Sequence, residues 1–125
     1  MRNIITWFEI PSADIARAKA FYEALLDTQI ADIQDFGGLK MAFFQRPENS
    51  SATTGAIVQH EEYTPSHQGS LLYFDGGADL APMLARVEPA GGKIIRPKTM
   101  ISPENGHMAI FEDTEGNRMA LYSQG

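Results

Sequence analysis

One order of elements occurs twice along this chain, and that repeat limits the folds open to it. Ile4 to Ile10 is rich in β-branched and aromatic residues and stops at Pro11, which reads as a strand. Ile15, Ala18, Phe21, Tyr22, Leu25 and Leu26 then recur at spacings of three and four, one apolar stripe on a helix. Ser12 or Asp14 can cap its start by accepting backbone N–H bonds. Two extended runs, Ile30 to Phe36 and Leu39 to Gln45, flank Gly37-Gly38 as a hairpin would. Arg46 to Thr54 is a polar loop, and Gly55 to Gln59 is a further short strand.

Residues 60–69 are polar and turn-rich, and beyond them the order returns. Ser70 to Asp75 is strand-like. Asp79, Leu80, Met83, Leu84 and Val87 take helical spacing, with Pro82 tolerable in the first turn. Pro89 ends that helix and Gly91-Gly92 supplies a left-handed exit. Lys93 to Ile101 is extended but broken by Pro97. His107 to Glu112 and Arg118 to Ser123 are strands around the turn Asp113-Thr114-Glu115-Gly116-Asn117. Asp14 and Asp79 open the two helices 65 residues apart. The repeat is one of pattern, since identity between the halves is weak.

The chain of 125 residues is one domain's worth, with module one at about 1–59, a linker at 60–69 and module two at about 70–125. A four-stranded sheet with one helix cannot cover both its faces. Two copies side by side can curl into one open, cupped, eight-stranded mixed sheet with the helices outside, an α+β fold of two βαβββ modules. A cupped sheet encloses a cavity, and cavities bind small molecules. The net charge of −6 and the want of any Lys/Arg cluster argue against nucleic acid and anionic membranes as partners. Cysteine is absent, which excludes disulfides and thiolate chemistry. No apolar run reaches the length of a spanning helix, and the first residues lack a signal-peptide stretch, so a cytoplasmic protein is expected.

Trp7-Phe8-Glu9-Ile10-Pro11, Asp14-Ile15, Arg17-Ala18 and Phe21-Tyr22 in the first half stand out in combination. So do Ala90-Gly91-Gly92-Lys93, Pro97-Lys98-Thr99 and Asp113-Thr114-Glu115-Gly116-Asn117-Arg118 in the second. On these segments nearly the whole chain resembles the vicinal oxygen chelate superfamily. That superfamily includes lactoylglutathione lyase (glyoxalase I), bleomycin-resistance proteins and extradiol dioxygenases. The resemblance is greatest to a glyoxalase-like subgroup without an assigned reaction. It implies metal ligands on the first and last strand of each half: a His or Gln seven residues before the helix-start Asp, and a Glu three beyond the Gly-Asn pair. Counted so, the positions hold Trp7, Leu72 and Ala120, and the 65-residue offset from Ala120 gives Gly55. None of the four can bind a divalent metal, so no metal and no cofactor are expected.

Other polar groups then become the candidates. Glu9 shares a strand face with Trp7 and would enter the cavity as a base or as an anchor for a cation, unless an ion pair or the solvent takes it. Tyr122 shares a face with Ala120 and could position a ligand by its hydroxyl, or simply pack. His107 opens a strand and could carry protons at the cavity mouth, or sit on a sheet edge. His60 and His67 flank the linker with Glu61 and Glu62, a cluster able to hold a metal or to be a solvated loop. Catalytic candidates are therefore Glu9, Tyr122 and His107. The substrate-binding set is Trp7, Glu9, Leu72, Phe74, Ala120 and Tyr122, with methionines and phenylalanines as an adaptable wall.

Three functions follow as expectations. One is metal-independent binding of a small molecule. A second is a lyase or isomerase that uses Glu9 as base with Tyr122 or His107 as proton donor. A third is a metal-dependent glyoxalase with ligands displaced onto Glu9, His60 and His107. An open cupped sheet leaves edges and apolar flanks to cover, so a two-fold homodimer is expected as well.

Overall fold

A computed structural model describes residues 4–46 and 48–125. Met1 to Asn3, where the reading of the N-terminus begins, and Pro47 in the polar loop lie outside the described residues. The first module runs β1 (Trp7–Pro11), α1 (Ile15–Leu26), β2 (Gln34–Phe36), β3 (Leu39–Phe43) and β4 (Thr54–Gln59). The second runs β5 (Tyr73–Asp75), α2 (Ala81–Leu84), β6 (Lys93–Ser102), β7 (Gly106–Glu112) and β8 (Arg118–Ser123). The βαβββ order thus occurs twice, in an α+β fold. The hydrogen-bonded ladders form two four-stranded sheets, β1-β4-β3-β2 and β5-β8-β7-β6, rather than one continuous sheet of eight. In each, the first strand lies parallel to the fourth and the other pairs are antiparallel.

Side-chain packing, not a backbone ladder, unites the halves. Phe8 beside β4 meets Phe74 of β5 edge-on at 6.5 Å, and Phe21 of α1 lies 5.9 Å from Phe111 of β7. The stripe on α1 is buried as its spacing predicts, with Ile15, Ala18, Phe21, Tyr22 and Leu25 inside. They share one core with Leu80, Leu84 and Val87 from the α2 region. That region holds only one turn of regular helix before a run of turns, because Pro89 and Gly91-Gly92 follow so soon. β6 continues through Pro97, where a break is predicted. It is an edge strand, so the missing N–H forfeits few ladder bonds, and the pairing absorbs the residue through register shifts. Gly55 is required where β1 lies on β4: a Cβ there would fall 2.0 Å from the Phe8 carbonyl oxygen.

The turn at 113–117 fastens the second module to the first. Asp113 is buried and accepts from Tyr22 Oη at 2.6 Å, from Asn117 Nδ2 at 2.9 Å and from the backbone of Glu115 and Asn117. Asn117 Nδ2 also donates to the Pro11 carbonyl at 2.7 Å, which ties the end of β1 to the start of β8. Glu115 reaches the start of α1. Its Oε1 accepts from the N–H groups of Ala13 and Asp14 at 2.9 and 2.8 Å, and its two oxygens take Arg17 bidentately at 2.8 and 3.0 Å. A carboxylate from the far module therefore serves the helix N-terminus, where unpaired donors and the helix dipole favour negative charge.

Candidate functional site

Strand parity decides which side chains can meet. Ile10, Ala42, Ile57, Phe111, Met119 and Leu121 lie in the core under the helices. Trp7, Glu9, Phe43, Thr54 and Ala56 alternate to the other face of the first sheet, and Tyr73, Arg118, Ala120 and Tyr122 to the matching face of the second. Trp7 stands opposite Thr54, and Tyr73 opposite Ala120.

These register pairs correct the counting from sequence at two positions. Gly55 and Leu72 are one residue out of phase with Trp7 and Ala120, and a shift of one turns a side chain to the opposite face. In register, Trp7 faces Thr54 in one sheet and Tyr73 faces Ala120 in the other. As donors these positions offer a threonine hydroxyl and a phenol, which do not fit the three or four His, Glu or Asp ligands of a divalent site. Among the described residues no group of three or more His, Asp or Glu could hold a metal. Glu9, His60 and His107 are accordingly not brought together.

Trp7 and Glu9 line one cavity of ≈ 410 Å³, between β1 and the segment leading into β5. Leu72, Arg118, Thr64 and Ser66 line it too. Trp7 is 40% exposed and lies 5.8 Å from Phe43, while Phe43 meets Phe36 at 6.4 Å. The indole N–H of Trp7 donates to Glu9 Oε2 at 3.3 Å. Glu9 makes no ion pair among the described residues. Tyr63, from the linker, lies within reach of that charge: the Glu9 carboxylate foremost, and then burial, raises its phenol above the ordinary value. Nothing in the linker sequence singles out Tyr63, because its role depends on how the loop folds back.

The remaining predicted residues are spread more widely. Tyr122 is on the same side as Trp7 but lines a second cavity of ≈ 640 Å³ with Tyr73, Asp75, Ile101 and Asn105. Its hydroxyl donates to Gln124 Oε1 at 3.0 Å. Trp7, Glu9, Ala120 and Tyr122 therefore do not converge on one pocket as predicted. Ala120 is wholly buried. Phe74 packs into the core 5.6 Å from Tyr22, though its edge touches the second cavity, and Leu72 both lines the first cavity and packs on the core. His107 shares parity with Ala109 and Phe111 and turns to the helix side, where it feels Asp79, not Glu9. His67 contacts Glu112 at 2.7 Å, and His60 Nδ1 accepts the Glu62 N–H at 3.1 Å.

Arg118 is the residue that sequence reasoning passed over. It stands two residues before Ala120 on the same strand, so parity alone places it on the cavity face. Its Nε is buried without a hydrogen-bond partner among the described residues.

Residues 4–121 match the family model described as Glyoxalase/Bleomycin resistance protein/Dioxygenase superfamily. Over 133 residues the chain is 27% identical to the anthracycline biosynthesis protein DnrV of Streptomyces peucetius, covering 95% of this chain and 46% of that protein. The chain thus spans about half the length of that relative. A glyoxylase-like domain-containing protein of Didymella fabae is 28% identical over 119 residues, covering 94% of this chain and 91% of its own. Among solved structures, glyoxalase I from Zea mays superposes with a TM-score of 0.76 at 13% identity, over 97% of this chain and 44% of that one. TnmS3, an antibiotic binding protein from a Streptomyces species, superposes at 0.66 with 20% identity, over 98% and 97%. At these identities the structures share the fold.

Proposed function

The chain belongs to the Glyoxalase/Bleomycin resistance protein/Dioxygenase superfamily, and we propose that it is a small-molecule binding member that holds a flat aromatic ligand without a resident metal. The observation that carries this reading is the cavity wall formed by Trp7 and Glu9. An exposed indole beside Phe43 offers a stacking surface, and an unpaired carboxylate beside it offers a polar anchor. A cavity of ≈ 410 Å³ suits a ligand of a few rings. The donor set at Trp7, Thr54, Tyr73 and Ala120 supports binding without metal. The names of two similar proteins, one of anthracycline biosynthesis and one that binds an antibiotic, support small-molecule binding.

A second reading is proton transfer at Glu9, as in a lyase or isomerase, and the nearness of Tyr63 favours it. Tyr63 lines a neighbouring cavity, and its phenol, raised above the ordinary value by the Glu9 charge, is a proton donor close to a base. Titration of the purified protein with planar aromatic compounds, followed by Trp7 emission, tests the first reading. The chain holds one tryptophan, so its signal belongs to this cavity. Emission that ignores every such compound would sink the proposal. Turnover that Glu9→Gln abolishes would favour the second reading. We propose further that the protein is a two-fold homodimer, supported by the exposed apolar side chains of Ile4, Ile5, Phe36, Ile95 and Ile101.

A further inference from the structure

Among the described residues Arg118 carries the one guanidinium that lines the first cavity, and none of them answers its charge. It takes part in no ion pair and its side chain in no hydrogen bond, and its Nε–H is buried without an acceptor. Its cross-strand partner Glu112 would be the natural counter-ion, but Glu112 is held by His67 Nε2 at 2.7 Å. An unanswered buried donor is costly in a folded protein, and such groups persist where something else supplies the acceptor. The rest of the lining adds neutral hydroxyls from Thr64, Ser66 and Ser70.

From this we infer that Arg118 is a specificity-determining residue that receives an acidic group, a carboxylate, on the aromatic ligand. The inference rests on the binding reading above and narrows it. A planar carboxylate matches the guanidinium fork in a charge-assisted, bidentate pair. Glu9 on the β1 wall repels the same group, so the two charges fix which way round the ligand lies. The chain's net charge of −6 opposes anions at long range, so the selectivity must arise on contact within the cavity.

Calorimetric titration with naphthalene-2-carboxylate and with naphthalene-2-methanol tests this, since the two share ring and shape and differ in charge. The wild-type protein binds the acid at least about tenfold more tightly, as one charge-assisted bond implies. Arg118→Met removes that preference, while Arg118→Lys keeps part of it because it keeps the charge. The wild-type comparison needs no variant and decides even if a variant folds poorly. Equal affinities for both probes in the wild type, or an equal loss of both in Arg118→Met, would overturn the inference and leave aromatic binding standing. Failure of both probes to bind the wild type at millimolar concentration overturns the binding reading, and this inference with it.

Discussion

Tyr22 of α1 donates its phenolic hydrogen to Asp113 Oδ2 at 2.6 Å, so a helix of the first module is bonded directly to the closing turn of the second. Burial, and then the Asp113 charge and hydrogen bond, hold the Tyr22 hydroxyl well above its ordinary ionisation range, so it remains a donor. The Phe-Tyr pair and the Asp-Thr-Glu-Gly-Asn turn are among the segments that carry the family resemblance. In the structure they meet each other and serve as a fastening between modules, with Asn117 of the turn at the lining of the first cavity.

Tyr22→Phe keeps the ring and removes the hydrogen from the shortest bond of this fastening. Asp113 Oδ2 keeps only Asn117 Nδ2 as a side-chain donor. The expected loss is about 1–3 kcal/mol, read as a lower denaturant midpoint with unchanged slope. Binding of aromatic probes by the folded variant should be unaltered. A variant as stable as the wild type would show that the bond contributes nothing net.

Glu115 gives a dependence on pH. Its side chain is fully buried. Burial opposes ionisation, but the Arg17 guanidinium, the N–H groups of Asp14 and Ala13 and the Thr114 hydroxyl outweigh it, and the carboxyl titrates below its ordinary 4.5. A pKa lowered by folding stabilises the folded state above the ordinary value, and that gain is lost as pH falls through the lowered value. Glu115→Gln should cost about 1–2 kcal/mol near neutrality. The gap between variant and wild type should close below pH 4.5, in thermal melts run as a pH series.

Trp7→Phe and Glu9→Gln separate contact from charge in the first cavity. Trp7→Phe should weaken an aromatic ligand by about 1 kcal/mol through lost stacking area. Glu9→Gln preserves shape, so a neutral aromatic ligand should bind within about twofold, while a cationic one should lose about tenfold. Calorimetry on both variants reads each effect. A neutral ligand indifferent to Trp7→Phe would place the binding surface elsewhere.

For assembly, light scattering at tens of micromolar should give about twice the chain mass of 13.8 kDa. Replacing exposed Ile95 and Ile101 with Ser should shift the mass towards the monomer. A 13.8 kDa particle in the wild type would dismiss the dimer.

For metal content, elemental analysis of protein purified without chelator should find well under one equivalent of zinc, nickel, iron or manganese per chain. The expectation comes from the donors at Trp7, Thr54, Tyr73 and Ala120. One bound equivalent, lost with a chelator together with ligand binding, would reverse it.

The fold was legible because it is written in periodicity. The three-and-four stripe from Ile15 to Leu25 can be buried in only one way, and the second half repeats the order of the first. The facing of individual side chains was harder. Counting at a fixed offset from the helix starts works within a strand, as for Trp7 and Glu9. It slips between strands, because Gly55 and Leu72 are set by the pairings Trp7–Thr54 and Tyr73–Ala120, which no local pattern announces. Tyr63 was hidden for another reason. A polar linker has no periodicity to read, and its tyrosine reaches Glu9 by the path the chain takes in space. Arg118 obeys the same parity rule as Tyr122, since it stands two residues before Ala120 on the same strand.

The carboxylate that serves the start of α1 stands 101 residues beyond Asp14 in the chain. A ribosome that has finished α1 has therefore not yet made the group that completes it. At about 5–20 residues per second, the wait is on the order of 5–20 seconds. Through that interval the amides of Ala13 and Asp14 have no carboxylate, and Phe21 and Tyr22 lack Phe111 and Asp113. The two modules look separable on paper, yet the nascent first module emerges unfinished at its helix start and along one apolar face. Both wait for the last strand to leave the exit tunnel.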